Sequence, residues 1–295
     1  MLAELFAVMA PVLIVAGIGY AWSRSGQAFP TDFVTRLVLN VGTPSLVLSS
    51  LSRTRVEPHA FAQMALGCVL ASLAMGLLGL LLSRALRSDW KVLVPAYLFP
   101  NTGNMGLPIS LYAFGEQGLT LAVAFFLMLS VTQFTLGMLL AGVERSWRRL
   151  LINPTVLSLA AALAVMGCDL QLPRWLANTV NLLGGMTIPM MLLTLGVSLA
   201  SIRVQHLGQG MLLGGLRILA GAAVGWLAGA LLGLPPLAHG VLVMQSSMPV
   251  AVFNYLFAVR ANRSPEAVAS LVMCSTLLSF VLLPLLLAWL LPGLR

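Results

Sequence analysis

The side chains in this sequence best placed to do chemistry are neutral ones set beside helix breakers. Between Pro95 and Ser110 stand three prolines (Pro95, Pro100, Pro108), two glycines (Gly103, Gly106) and the polar residues Asn101, Thr102 and Asn104. A second stretch places Gln245, Ser246 and Ser247 just ahead of Pro249 and ends on Asn254. Amides and hydroxyls offer hydrogen-bond donors and acceptors. Each proline deletes a backbone donor and clashes with the preceding turn, so a helix through the first stretch is expected to unwind near Asn101–Pro108. The chemistry this supports is recognition: an anion at the positive N-terminal ends of half-helices, or a cation among released carbonyls. Catalysis has no comparable constellation. There is no HExxH, no CxxC, no carboxylate in mid-span and no Ser or Cys with a nearby His to activate it. The expectation is no enzyme, no cofactor and no metal ligand set.

The elements that position these residues follow from composition. Of 295 residues, 59% are hydrophobic and 8% charged, against about 25% charged in a soluble domain, so the chain is an all-α polytopic membrane protein. Apolar segments run approximately over 4–22, 33–51, 61–83, 91–114, 118–142, 152–169, 174–200, 208–232, 237–258 and 266–291. Each is long enough to cross a bilayer as a helix, giving ten spans and no sizeable soluble domain. The first opens on Glu4 and is followed by Arg24 rather than a small-residue cleavage site, which reads as a retained helix and not a signal peptide. Without a GxxxxGK[ST] loop there is no nucleotide-driven motor.

Eleven of the 16 Lys and Arg residues lie in or beside the odd-numbered loops, and four (Arg53, Arg55, Arg174, Arg295) in the even loops and the C-terminus. Because basic residues are retained in the cytoplasm, this puts the odd loops there and both termini outside, in a cell (inner or plasma) membrane. The net charge of +8 is then a topology signal and not a nucleic-acid footprint. Cys68, Cys168 and Cys274 stand apart in apolar segments and read as packing residues.

A shift of 145 residues lays Pro44 of the second span on Pro189 of the seventh, sets Asn101 against Ser246 and superposes the fourth span on the ninth. Five helices is an odd number, so the second copy enters the membrane inverted. That is an inverted 5+5 repeat, the usual plan of secondary transporters, with broken helices 4 and 9 crossing at mid-membrane. Unpaired backbone at that depth must be buried in protein or line a watered cavity.

Asn101-x-Gly103-x-x-Gly106-x-Pro108 on the fourth span, with Ser247-Met248-Pro249-x-Ala251 on the ninth, resembles the auxin efflux carrier family, which includes bacterial members and the plant PIN-type carriers. The resemblance covers essentially the whole chain. It implies scaffold helices 1–2 over 1–58 and 6–7 over 146–205. Transport-domain helices 3–5 would span 59–145 and helices 8–10 would span 206–295. It further implies substrate binding at the 4/9 crossover, alternating access, and a homodimer through helices 1, 2, 6 and 7. The implied cargo is a small organic anion, an auxin-like aromatic acid or a malate- or malonate-like carboxylate, moved outward. Sodium- or proton-coupled symport and a channel are the alternatives. The long cytoplasmic loop of many plant members is missing, since loop five is only about Gly142–Leu151.

All eight acidic residues fall at span ends or in loops, which disfavours a carboxylate-based proton relay. Neutral oxygens of Asn101, Thr102, Gln245 or Ser246 would be the ligands for sodium. Arg217 is the one cation inside a span, about nine residues into helix eight. It has two readings: snorkelling or pairing with a helix C-terminus, and a countercharge for an anionic substrate. Asn40, Thr43, Asn178, Asn181 and Thr187 are expected to hydrogen-bond between scaffold helices. Ser130, Thr132, Gln133 and Thr135 are candidates for the cavity wall.

Overall fold

The computed structural model describes residues 2–53, 58–133, 172–202, 206–261 and 263–291, with isolated positions between 154 and 164. Most of the expected sixth span, the end of the fifth with Thr135, the Gly142–Leu151 loop and Cys168 lie outside them. The described chain is helical: α1 (Leu2–Arg24), α2 (Thr31–Leu37), a π turn (Val38–Gly42), α3 (Thr43–Arg53), α4 (Pro58–Ala85), α5 (Trp90–Leu98), a second π turn (Thr102–Gly106) and α6 (Leu107–Thr132). Then come α7 (Arg174–Gly185), α8 (Thr187–Ser201), α9 (Leu207–Leu231), α10 (Pro236–Ser246), α11 (Val252–Ala261) and α12 (Pro265–Leu290). Among the described residues six helical stretches are, by length and composition, apolar enough to cross a membrane: Leu5–Arg24, His59–Ala85, Thr102–Thr132, Arg174–Ser201, Leu207–Leu231 and Pro265–Leu290, the third of them spanning a reversal at Gly115. The chain is therefore a multi-pass membrane protein. The expected fourth and ninth spans are interrupted, at residues 99–101 and 247–251, while the expected second runs as one helical stretch, residues 31–53, through a π turn and is not in that set.

The interruptions and π turns have local causes. Both π turns end two residues before a proline, at Gly42-Thr43-Pro44 and Gly106-Leu107-Pro108. In each, an N–H donates to the carbonyl five residues back, Thr43 to Val38 and Leu107 to Thr102. The widened turn accommodates a ring that cannot donate, and Pro108 then falls in the first turn of α6, where a missing N–H is harmless. The expected unwinding over Asn101–Pro108 is thereby corrected: the helix opens at Phe99–Asn101, and Thr102–Gly106 stays helical in π form. In α6, Gly115 adopts φ 68° and ψ −165°, a conformation open to glycine. Beyond it, a Cβ on Gly118 would stand 3.2 Å from the Ser110 carbonyl oxygen, whereas eight residues of straight helix span roughly 12 Å. The chain thus folds back at Gly115, separating the end of the fourth expected span from the fifth.

Two sets of helices pack most closely: α1 along α8 with α3 on α7, and α4 with α5, α6 and α9, with α10 and α12 against α9. On the surface Arg263 Nη1 lies 3.0 Å from Asp89 Oδ2, so the connection before α5 and the one before α12 share one face of the bundle. The α1–α8 contact depends on glycine: a Cβ on Gly196 would collide with the Ala16 carbonyl oxygen and stand 2.7 Å from the Tyr20 nitrogen. Gly196→Ala is expected to destabilise the protein by about 1–3 kcal/mol, read as a lower melting temperature. Gly17→Ala, with nothing within 4 Å, should not lower it. Equal melting of the two variants would overturn this account of the contact.

Candidate functional site

The two breaks meet and satisfy one another. Asn101 N–H donates to the Pro249 carbonyl at 2.7 Å and Ala251 N–H to the Phe99 carbonyl at 3.2 Å, forming an isolated antiparallel bridge between Pro100 and Val250. Val250 N–H donates to Ser275 Oγ of α12 at 3.1 Å, and Asn254 Nδ2 gives the Phe99 carbonyl a second bond at 3.0 Å. Helix ends inside an apolar bundle must find such partners or lose the stability of each orphaned group. At this bridge the C-terminal ends of α5 and α10 stand beside the N-terminal ends of the second π turn and α11. Carbonyls and N–H groups thus converge on one buried volume.

The expected site residues divide by what their polar atoms do. Asn101 is 4% exposed; its carbonyl accepts from Met105 and Gly106 N–H at 3.3 and 3.2 Å, while its Nδ2 has no partner. Thr102 and Pro108 are buried, and Gly103 and Asn104 are half-buried, with Gly103 against the Phe126 ring. Gly106 leaves room for Gln245, whose Oε1 a Cβ there would strike. Gln245 Nε2 donates to Ser110 Oγ at 3.0 Å, and its Oε1 is unpartnered, as are Ser246 Oγ and Asn254 Oδ1. Ser247 Oγ instead donates to Val243 of its own helix at 2.6 Å, a capping role. Among the described residues seven buried side-chain polar atoms lack a protein partner, and five of them belong to Asn101, Arg217, Gln245, Ser246 and Asn254. Buried polar groups are nearly all paired in folded proteins, and these five belong to residues of the bridge and of the helices beside it.

Arg217 is 1% exposed, so it does not snorkel. Its Nη1 donates to the carbonyl of Ser246 at 2.8 Å, the last residue of α10, and its Nε is unpartnered. The guanidinium caps a helix C-terminus, as one half of the first reading had it. A helix end carries about half a negative charge, which leaves part of the cation uncompensated. Among the described residues no carboxylate pairs with it. Tyr97 of α5 donates to the Leu213 carbonyl at 2.9 Å, one turn before Arg217, so both broken helices are tied to α9.

Other expectations fared less well. Asn40 and Asn178 are exposed, Thr187 at the start of α8 donates to the Leu183 carbonyl near the end of α7 at 3.3 Å, and Thr43 Oγ1 is unpartnered. Polar groups on a helix are often satisfied by the preceding turn and need no neighbouring helix. Thr132 likewise bonds to Met128 at 3.0 Å; Ser130 is buried, and Gln133 Nε2 is unpartnered. Ser110 and Ser275 were missed as site residues. The only sequence signal for Ser275 is the row Ser275-Thr276 and Ser279 in an otherwise apolar helix.

The chain matches the family model described as membrane transport protein over residues 5–142 and 138–287. It is 27% identical over 288 residues, 93% of this chain and 94% of the other, to an uncharacterized transporter of Methanothermobacter thermautotrophicus. An uncharacterized transporter of Methanocaldococcus jannaschii is 24% identical over 292 residues, 93% of this chain and 95% of its own. With two broken helices bridged at a buried polar cluster and a family match running nearly end to end, the chain belongs to the membrane transport protein family of auxin efflux carriers.

Proposed function

We propose that this membrane transporter is a secondary carrier of a small organic anion, in the first place a carboxylate, working by alternating access at the crossover of the fourth and ninth spans. The observation that carries the reading is the juxtaposition of orphaned buried polar atoms with an incompletely compensated guanidinium at one backbone bridge. A carboxylate accepts hydrogen bonds from an amide such as Asn101 Nδ2, and a low-polarity site strengthens each of them. Sodium at the α10 end would lie beside the Arg217 guanidinium, whose like charge repels a cation.

In this reading the chain makes ten spans in an inverted 5+5 arrangement with both termini outside the cell membrane. Residues 1–58 and 146–205 form a scaffold that pairs with a second copy through helices 1, 2, 6 and 7, while 59–145 and 206–295 move. The closest packing of α1 on α8 and of α3 on α7, with that of α9 on α12, α10 and α4, supports that division, and α6, α12 and the second π turn meet the first set at its border. Export needs no coupling ion, since one negative charge leaving an inside-negative cell releases about 2.3 kcal/mol per 100 mV.

The test is a thermal-shift screen of small mono- and dicarboxylates on the purified protein, followed by flux of the stabilising compounds in proteoliposomes. The expected result is stabilisation by at least one carboxylate with slow, saturable flux. Single-channel currents, or a protein indifferent to every carboxylate, would sink the proposal.

A further inference from the structure

Arg217 has a consequence for how the membrane potential acts. It is a unit charge inside the bundle, bound to the carbonyl that ends α10, and α10 leads directly into the bridge between the two breaks. Asp89 is engaged with Arg263 at the surface, and Asp32, Glu116 and Glu266 are exposed. No described carboxylate on a neighbouring helix therefore holds the guanidinium back. The charge belongs to the crossover and follows it. Nor does the other half supply a matching cation: the residue 145 positions earlier is Ser72, on α4.

We propose that Arg217 is a resident charge of the moving crossover, so that reorientation of the empty form, and not of the anion-loaded form, carries charge across the membrane. The inference rests on the carrier cycle proposed above. With a monoanion bound, the crossover holds +1 and −1 and moves as a neutral unit. Empty, it returns inward as a cation, and an inside-negative potential drives that step. Over one cycle the sum is one negative charge outward, as for a carrier without the arginine, but the voltage-sensitive step is inverted. If the charge crosses the whole field, the ratio of outward- to inward-facing empty protein shifts about fifty-fold per 100 mV. A partial crossing shifts it less.

The test does not require the cargo to be identified. Full-length protein in proteoliposomes fused to a planar bilayer is stepped in voltage in simple chloride buffer, and the transient charge displacement is recorded. Wild type is expected to give a saturating displacement with an apparent valence of up to about one. Arg217→Lys should retain it, and Arg217→Gln should lose it while remaining monodisperse. Should the glutamine variant fail to fold, the lysine variant decides on its own. A buried lysine can give up its proton where arginine does not, so its displacement should fade as pH is raised while that of wild type persists. Absence of displacement in wild type, full displacement in Arg217→Gln, or a lysine variant that tracks wild type at every pH overturns the inference. Addition of an equimolar mixture of the monoanions acetate, benzoate and propionate separates the two proposals. Suppression of the displacement supports neutral loaded transit. Displacement that depends on Arg217 but ignores all three, in a protein that none of them stabilises, counts against the carboxylate reading and leaves the resident charge in place.

Discussion

Replacing Asn101 by alanine is expected to weaken carboxylate binding and saturable flux by about ten- to a hundred-fold while leaving the empty protein at least as stable as wild type. The backbone of Asn101 holds the crossover together through its N–H to Pro249 and its carbonyl to Met105 and Gly106, and alanine keeps all of these. Its side-chain Nδ2 has no partner in the protein. A hydrogen bond to a charged group contributes about 1.5–3 kcal/mol, and each 1.4 kcal/mol is a factor of ten in affinity. Deleting a buried donor that has no partner removes a desolvation penalty instead of a stabilising contact. The expected signature is therefore split: a melting temperature without ligand that is unchanged or raised, and a concentration for half-maximal stabilisation that rises steeply. A variant that melts lower yet binds normally would mean that Asn101 serves the fold alone.

The largest loss of stability is expected from Gly221→Val. Gly221 lies one turn beyond Arg217 on α9, and a Cβ there would overlap the Ser246 carbonyl oxygen and stand 2.7 Å from Arg217 Nη1. The obstructing atoms are backbone and a pinned guanidinium, so relief requires α9 to separate from α10. Overpacking of this kind typically costs about 1–3 kcal/mol. Breaking the Arg217–Ser246 contact as well strands a buried charge, a class of change that costs about 3–5 kcal/mol. The variant should lose its monodisperse peak in detergent or melt far below wild type. Gly208→Val, on the same helix with nothing within 4 Å, is the control and should behave as wild type. If both variants fold equally well, the close approach of α9 to the crossover is not a determinant of the fold.

The interruptions of the helices are legible in the amino-acid sequence itself. Prolines and glycines act on the turns that contain them, so Pro100, Pro108 and Pro249 announce interrupted helices from their neighbours alone. Local signals place such breaks only within a few residues. Pro108 proved harmless because a π turn ahead of it absorbed the ring, and the opening moved to Phe99–Asn101. Likewise, the polarity of Ser247 and Thr187 is visible in the sequence, but its use is not, since each hydroxyl bonds to the backbone carbonyl four residues before it.

Composition by itself determined that this chain lives in a membrane, because burying charge in a bilayer is so expensive that a sequence made for it must be nearly free of charge. Proline, glycine and amide spacing determined where its helices fail. Tertiary structure alone decided that the failures face each other, that Asn101 offers a free amide while Ser247 does not, and that Arg217 ends on the α10 carbonyl. The physical reason is range. Solvation and helix breaking act within a turn of chain. The partners of Asn101 and Arg217 are chosen by packing between segments distant in sequence, which no local pattern encodes.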